Sequence, residues 1–129
     1  MILVDTSVIV EWLDRTHPHH LACLAALEKW ARRDRLAVSC VSQGELAAGG
    51  LTREAVDEDL RDFEKIPLDE NAACLAGVAF RGYRRNATDD PVLPDFLIRA
   101  QAAVSNLKHL TNDRRRIQSF ADVDFEFVG

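Results

Sequence analysis

The apolar residues of the chain fall into short runs separated by longer amphipathic segments. MILV at 1–4 and LAVSCV at 36–41 are apolar runs of the length expected for buried strands. KHLT at 108–111 predicts another short strand, and VDFEFV at 123–128 alternates apolar and polar residues as a half-buried strand does. IPL at 66–68 predicts a short strand at most.

The segments between these runs repeat their apolar residues at the spacing of amphipathic helices. One more helix is predicted to start at Ser42 and Glu45, which form an S-x-x-E capping box, and to stop at Gly49 and Gly50. Strands separated by helices predict right-handed crossovers and a mostly parallel sheet. The fold class is therefore α/β, a three-layer sandwich around a mostly parallel central sheet. The other helical segments are 8–13, 21–33, 52–65, 70–85 and 95–107.

Length and composition narrow the class of protein. With 129 residues, 47% hydrophobic and 29% charged, the chain is expected to be a single globular domain over 1–129. No apolar run approaches the roughly 20 residues that cross a bilayer, and no signal peptide is evident, so a cytoplasmic protein without a membrane partner is expected. Cys23, Cys40 and Cys74 are odd in number and widely spaced, which predicts buried thiols rather than disulfides or zinc ligands.

Three acids stand where a predicted strand gives way to a helix. Asp5 follows the first strand, Glu45 lies just past the second, and Asp113 follows KHLT. In a parallel sheet the carboxyl ends of the strands meet at one edge, where ligand sites are built. A fourth acid, Asp95, opens a helix without a clear strand before it, so its place at this edge is the weakest derivation.

Each acid alone is explained by helix capping, because a negative charge near a helix N-terminus gains roughly 0.3–1 kcal/mol. Capping does not explain all of them together. Two carboxylates about 4 Å apart repel by roughly 4 kcal/mol at an effective dielectric constant near 20. A divalent cation such as Mg²⁺ or Mn²⁺ prefers carboxylate oxygens and reverses the sign of the local field. The pattern therefore predicts a Mg²⁺ or Mn²⁺ site.

Four short motifs occur in order along nearly the whole chain. They are VDTS at 4–7, SQGEL at 42–46, LPDFLIRAQA at 93–102 and LTNDRRR at 110–116. Together they resemble the PIN-domain ribonucleases, in particular the small VapC-type toxins of bacterial toxin–antitoxin pairs. Each motif is weak alone, and their order within a chain of this length makes the resemblance specific.

The resemblance implies a metal-dependent endoribonuclease that hydrolyses RNA phosphodiester bonds. It also implies inhibition by a cognate antitoxin protein and a homodimer built on the early helices. Within the acidic quartet, direct metal ligation is expected from the three aspartates, with Glu45 holding metal-bound water or accepting a proton. The implied catalytic acids are Asp5, Glu45, Asp95 and Asp113, and the supporting hydroxyls are Thr6, Ser7 and Thr111.

A chain of net charge −5 needs local basic residues to bind RNA. The three arginines at 114–116, which directly follow Asp113, are the better candidates for phosphate contact. The alternative is that these arginines offset helix dipoles and stay solvated. The possible RNA-binding residues are Arg99, Arg114, Arg115 and Arg116, with Arg81, Arg84 and Arg85 as further candidates.

Three other interpretations explain parts of the sequence. THPHH at 16–20 holds three histidines, but adjacent histidines without spaced partner ligands do not predict a closed zinc site. A phosphoacceptor receiver domain is also a small α/β fold with acids at strand ends, yet Asp5 stands alone and Lys108 precedes its strand. A catalytically inactive binding module is the remaining alternative.

Overall fold

The protein is built on a five-stranded sheet whose paired strands are all parallel. The computed structural model describes residues 1–86, 92–115 and 117–129, with side chains for all of these except residues 84–86 and 118. The strand order is β3-β2-β1-β4-β5, so β1 lies at the centre. The strands are β1 Ile2–Val4, β2 Leu36–Ser39, β3 Glu64–Ile66, β4 Lys108–Thr111 and β5 Phe125–Phe127.

Helices connect the strands and cover both faces of the sheet. A 3₁₀ turn at Ile117–Phe120 precedes the last strand. The predicted three-layer α/β sandwich is confirmed, and the sheet is parallel throughout its described pairs. The α-helices are α1 Thr6–Leu13, α2 His20–Ala31, α3 Cys40–Ala48, α4 Arg53–Asp59, α5 Glu70–Asn86 and α6 Leu93–Val104.

Alternate residues of the central strand face opposite layers. Ile2 and Val4 pack into one core cluster with Val8 of α1 and Leu27 of α2. Leu3 points the other way and packs with residues of α5 and α6, among them Phe96. All three residues of β1 are fully buried, as a strand covered on both faces must be. This accounts for the continuous apolar run at the start of the chain.

The capping box predicted at Ser42 and Glu45 is wrong. The structure ends β2 at Ser39, whose side chain caps α3 by accepting the Val41 N–H at 3.0 Å. Ser42 and Glu45 therefore lie inside α3 rather than at its start. Both side chains bond to Thr6, so they serve a tertiary contact instead of a cap. The predicted stop at Gly49 is confirmed, since Gly49 is the C-cap of α3.

Some other sequence predictions also need correction. The third strand runs Glu64–Ile66 and so begins two residues earlier than IPL. Helix α6 begins at Leu93, which places Asp95 in its first turn rather than at its opening. All three cysteines are free, but only Cys23 is buried, whereas Cys40 and Cys74 are exposed. Among the described residues, no helix is long and apolar enough to cross a membrane.

Candidate active site

Asp5 lies at the carboxyl end of the central strand and caps α1. One carboxylate oxygen accepts the Thr6 N–H at 3.0 Å. The other accepts the hydroxyls of Ser7 at 2.9 Å and Thr111 at 2.7 Å. The residue is 6% exposed. Three hydrogen bonds hold this buried carboxylate in one orientation. Of the three hydroxyls predicted to support the site, those of Ser7 and Thr111 bond Asp5, and that of Thr6 bonds Glu45.

Glu45 reaches the same edge of the sheet from the second turn of α3. Its Oε1 accepts the Thr6 hydroxyl at 2.8 Å, and the same hydroxyl lies 2.7 Å from Ser42 Oγ. Burial raises the pKa of Glu45, the Thr6 hydrogen bond opposes that rise, and the negative charges of Asp95 and Asp5 add to it. Asp5 and Asp95 are therefore both close enough to act electrostatically on Glu45.

Asp95 reaches the site from the first turn of α6. Pro94, just before it, suits the first turn of a helix because it has no N–H to leave unpaired. The charge of Asp95 also gains from the helix dipole at that position. The charge of Asp95 raises the pKa of Glu45, so Asp95 lies near this edge of the sheet. This agrees with the sequence prediction for Asp95, which had no preceding strand to support it.

Asp113 follows β4, but its carboxylate is held by Arg115. Oδ1 accepts the backbone N–H of Arg115 at 2.9 Å and its Nε at 3.0 Å, and Oδ2 accepts Nη2 at 3.0 Å. Burial would raise the pKa of Asp113, yet these hydrogen bonds and the positive charges of Arg115 and Arg99 lower it overall. Asp113 is thus an ionised acid already paired with a cation.

One hydroxyl joins the two ends of the site. Thr111 Oγ1 donates to Asp5 and accepts the backbone N–H of Asp113 at 3.0 Å. The backbone of Asp113 is therefore one oxygen atom away from the Asp5 carboxylate, although its own carboxylate turns to Arg115. Ser7 adds a second link, because its hydroxyl accepts the Asn112 N–H at 3.3 Å.

The acids converge without crowding. Among the described residues, the one group of three ligand side chains with ligand atoms all within 4.8 Å of one another is Glu11, His17 and His19. No three of the four acids meet that distance. The tight cluster of carboxylates expected from the sequence is therefore looser than predicted. This spacing still accommodates Mg²⁺, which keeps several waters and needs only one or two direct carboxylates.

Arg99 is a buried structural residue. It is 2% exposed, and its guanidinium donates to the backbone carbonyls of Arg115 at 2.7 Å and Asp113 at 3.2 Å. Its Cζ also lies 5.5 Å from the centre of the Phe125 ring. The interpretation of Arg99 as an RNA contact is therefore not supported by its position. The side chain instead holds the loop that carries Asp113.

The remaining predicted arginines differ in their positions. Arg114 and Arg115 are exposed, with Arg114 stacked 4.0 Å from the centre of the Phe127 ring. Arg116 lies outside the described residues, and so do the side chains of Arg84 and Arg85. Arg81 is exposed on α5. Exposed cations therefore adjoin Asp113 through Arg114 and Arg115.

Two polar features near the acids were missed by the sequence analysis. His109 is fully buried in β4, with Nε2 4.0 Å from Asp5 Oδ1 and Nδ1 3.0 Å from the Leu3 carbonyl. Burial lowers the pKa of His109, so the ring is neutral at physiological pH. The side chain of Asn112 turns to Glu11 of α1 and donates a hydrogen bond to it. In the sequence, His109 and Asn112 are single polar residues whose hydrogen-bond partners lie over 100 positions away, so no local pattern indicates these contacts.

A large cleft lies away from these acids. Its volume is about 720 Å³, and it lies between the ends of α1, α2 and α4. Trp12, Leu13, Leu24 and Leu51 provide its apolar lining. The acids instead form an open, polar edge of the sheet.

Solved structures of similar fold come from toxin–antitoxin complexes. VapBC2 from Rickettsia felis, bound to a DNA fragment from its promoter, has a chain with a TM-score of 0.76, 20% identity, and 98% coverage of each chain. VapBC-1 from nontypeable Haemophilus influenzae gives a TM-score of 0.74 at 19% identity, over 99% of this chain and 98% of that one. A toxin–antitoxin complex from Klebsiella pneumoniae gives 0.72 at 20% identity, with 95% coverage of each chain. The TM-scores establish a shared fold, and at these sequence identities the similarity shows the fold alone.

Family membership rests on the sequence match. Searches of curated protein sequences give no significant match. The family model of the PIN domain, in contrast, matches residues 2–126, which is nearly the whole chain. The matched region contains all four acids at the sheet edge and the hydroxyls that bond to them. The chain therefore belongs to the PIN-domain family.

Proposed function

We propose that the protein is a metal-dependent endoribonuclease and the toxin of a type II toxin–antitoxin system. The observation that carries the proposal is the meeting of Asp5, Glu45 and Asp95 at one sheet edge, where the charges of the two aspartates raise the pKa of Glu45. Membership of the PIN family supports a nuclease, and it disfavours the receiver-domain alternative. The similar chains from VapBC complexes support the toxin role.

The donor set fits a hard divalent cation. Asp5 and Asp95 would hold Mg²⁺ or Mn²⁺, with Asp113 completing the site, because carboxylate oxygens are the ligands such ions prefer. When bound, the ion would activate a water for in-line attack on a phosphodiester and neutralise charge on the phosphate. Asp113 would have to exchange its Arg115 partner for the ion, since both of its oxygens bond that guanidinium.

Hydroxyl side chains of the protein would orient the carboxylates of the site, and Glu45 would accept a proton. Ser7 and Thr111 fix the rotamer of Asp5 by donating to the same oxygen. Thr6 orients Glu45 in the same way. The raised pKa of Glu45 suits a proton acceptor near neutral pH, because a general base works best when its pKa approaches the pH of the reaction. Arg114, exposed beside this edge, would bind backbone phosphate.

A cognate antitoxin would inhibit the enzyme by covering the acidic edge. Glu45, with the charges of Asp95 and Asp5 beside it, presents a negative surface suited to a basic side chain. The net charge of −5 would speed association with a basic partner. The same charge would slow encounter with RNA, so at equal concentration the basic inhibitor would reach the site faster than the substrate.

The proposal is tested by incubating the purified chain with structured RNA and Mg²⁺ or Mn²⁺. Cleavage should leave a 5′-phosphate and a 3′-hydroxyl, and it should stop when the metal is chelated. Asp5→Asn and Asp95→Asn should each lower the cleavage rate by at least about 100-fold, the scale of an essential acid–base or metal group.

Glu54→Gln serves as the matched control, because Glu54 is an exposed acid of α4 that faces none of the site residues. Its cleavage rate should equal that of the unmodified protein. Circular dichroism should show that every variant is folded. Full activity in both aspartate variants, or an equal loss in Glu54→Gln, would reject the nuclease assignment.

A further inference from the structure

Two histidines of the turn between α1 and α2 face a carboxylate of α1. His19 Nδ1 lies 3.4 Å from Glu11 Oε1, and His17 Nε2 lies 3.9 Å from the same oxygen. One ligand atom from each of the three residues lies within 4.8 Å of the others. Glu11 and His17 are partly buried, and His19 is exposed. Helix α1 therefore supplies the spaced partner ligand, Glu11, that the THPHH sequence alone does not reveal.

These separations match the shell of a small transition-metal ion. Ligand atoms about 2.0–2.2 Å from a tetrahedral zinc ion are separated from each other by about 3.4 Å. The two measured separations, 3.4 Å and 3.9 Å, are close to that value. Two imidazoles and one carboxylate form a three-ligand set that leaves a fourth position for water.

Two hydrogen-bond donors outside the cluster also orient the Glu11 carboxylate. Glu11 Oε2 accepts hydrogen bonds from the Asn112 side chain and, at 3.4 Å, from the Cys23 thiol. These two donors leave Oε1 directed at both histidines. Such outer partners are typical of metal-ligating carboxylates, because they fix the ligand before the ion arrives.

We propose that Glu11, His17 and His19 form a binding site for a zinc-like transition-metal ion, separate from the acidic edge of the sheet. Imidazole is a ligand that suits Zn²⁺, Ni²⁺ and Cu²⁺, whereas the carboxylate oxygens of the acidic edge suit Mg²⁺ and Mn²⁺. The two sites are therefore distinguished by ligand chemistry as well as by position.

Binding requires an unprotonated ligand nitrogen on each histidine. His19 Nδ1 bonds Glu11 Oε1 at 3.4 Å only as N–H, so in that tautomer its proton must move to Nε2. His17 Nδ1 accepts the His19 N–H at 3.0 Å, so the neutral ring carries its proton on Nε2. A metal at Nε2 needs that proton on Nδ1, which breaks the contact with the His19 N–H. That N–H lies in an exposed turn and can bond to water instead. Metal binding should therefore change the tautomer of His17 and rearrange residues 17–19.

The site is linked to the loop of the acidic edge through Asn112. This residue bonds Glu11 and directly precedes Asp113 in the chain. Removing its side chain should weaken metal binding by about 10–100-fold, as loss of an outer-shell partner usually does. Thermodynamic linkage then requires that metal binding hold Asn112 in place by the same factor.

The test is titration of the full chain with Zn²⁺, followed by calorimetry in excess Mg²⁺ so that the carboxylate edge is occupied. All samples carry Cys40→Ser and Cys74→Ser, because these exposed thiols could bind zinc independently. One Zn²⁺ per chain is expected. Glu11→Gln, His17→Ala and His19→Ala should each weaken the affinity by at least about tenfold.

His20→Gln is the matched control, because the His20 ring bonds the Trp12 carbonyl at 2.8 Å and lies outside the cluster. Its zinc affinity should be unchanged, as should that of Asp5→Asn. NMR of the ring nitrogens should show metal at His19 Nδ1 and a proton on His17 Nδ1. Unchanged affinity in the three cluster variants, or an equal loss in His20→Gln or Asp5→Asn, would overturn the proposal.

Discussion

Glu45 carries its carboxylate in surroundings that oppose ionisation. Burial and the charges of Asp95 and Asp5 raise its pKa, so the folded protein binds this proton more tightly than the unfolded chain does. By linkage, the contribution of this group to stability is full below the unfolded pKa and is lost as pH rises through the folded pKa. At neutral pH without metal, the ionised carboxylate is therefore destabilising.

Replacing this charge should stabilise the metal-free protein. Glu45→Gln keeps the oxygen that accepts from Thr6 but removes the charge near the two aspartates. In the presence of chelator at pH 7, urea unfolding should show a higher midpoint for the variant. The difference should shrink as pH falls toward 4.5, the ordinary glutamate value, and should vanish below it. A variant less stable than the parent at pH 7 would show that its hydrogen bonds outweigh the charge effect.

Arg99 should be needed for stability and for the position of Asp113. Arg99→Lys retains the charge but cannot donate to two carbonyls in the geometry of a guanidinium. We expect a loss of about 1–3 kcal/mol in unfolding free energy, the cost of leaving a buried acceptor unpaired. The Mn²⁺ concentration for half-maximal cleavage should also rise.

Arg114→Lys provides the comparison for Arg99, because Arg114 is exposed and bonds only weakly to the Gly129 carbonyl at 3.4 Å. Its unfolding free energy should change by less than about 0.5 kcal/mol. Similar losses of unfolding free energy in both variants would mean that the buried contacts of Arg99 contribute no more to stability than the exposed contacts of Arg114.

Single residues were predictable where their partners are near in sequence or share a motif. The contact between Asp5 and Ser7 could be predicted, because an acid at a strand end and the hydroxyl residue two positions later belong to one local turn. Arg99 could not, since its partners are backbone carbonyls of a loop 14 and 16 positions away. A backbone carbonyl has no sequence signature, so a buried arginine and an RNA-binding arginine look alike in the sequence.

Among the secondary-structure elements, α3 depends on a cap that also serves the core. Ser39 Oγ accepts the Val41 N–H and donates to the side-chain oxygen of Gln101 on α6. The amide nitrogen of Gln101 then donates to the Pro67 carbonyl at 3.1 Å. A cap, a helix on the opposite face and the end of the edge strand are thus joined by one buried network.

Ser39→Ala should destabilise the protein more than an ordinary cap deletion. Removing an N-cap hydroxyl typically costs about 1 kcal/mol. Loss of the Ser39 hydroxyl also leaves Gln101 without a donor in the core, which adds about 1–3 kcal/mol. Thr52→Ala removes the exposed cap of α4 and should cost about 1 kcal/mol alone. Denaturant unfolding of both variants measures the difference, and equal losses would contradict the network.

Apolar strands were easier to predict than polar ones. β1 is buried on both faces, so its composition identifies it. β3 is an edge strand whose residues Glu64 and Lys65 are exposed, and no apolar run marks its start. The same limit explains the misplaced cap. Ser39 ends an apolar run, whereas Ser42 and Glu45 match a capping motif that the structure uses for a tertiary contact.

At the scale of the whole molecule, the parallel sheet brings distant acids to one edge. Strands β1, β2 and β4 all run in the same direction, so their carboxyl ends coincide. The order of the motifs therefore predicted the location of Asp5, Glu45 and Asp113. It could not predict that Asp113 pairs with Arg115, because that contact depends on the conformation of a two-residue turn.

Divalent cations should stabilise the whole fold. A ligand that binds only the folded state at ten times its Kd adds about 1.4 kcal/mol. For a domain of this size, that raises Tm by about 5 °C. Thermal unfolding with and without Mg²⁺ should show such a rise in the unmodified protein and none in Asp5→Asn. An equal rise in both would indicate binding away from the acidic edge.

The hydroxyl of Thr111 has one more consequence. Valine has nearly the same shape as threonine, so Thr111→Val would leave the volume of the fourth strand unchanged while removing the oxygen that the Asp5 side chain shares with the Asp113 backbone. The substitution would then break a side-chain link between two segments that are neighbours in space but more than 100 residues apart in sequence. The sheet would stay intact while its first and last acids lost their common anchor.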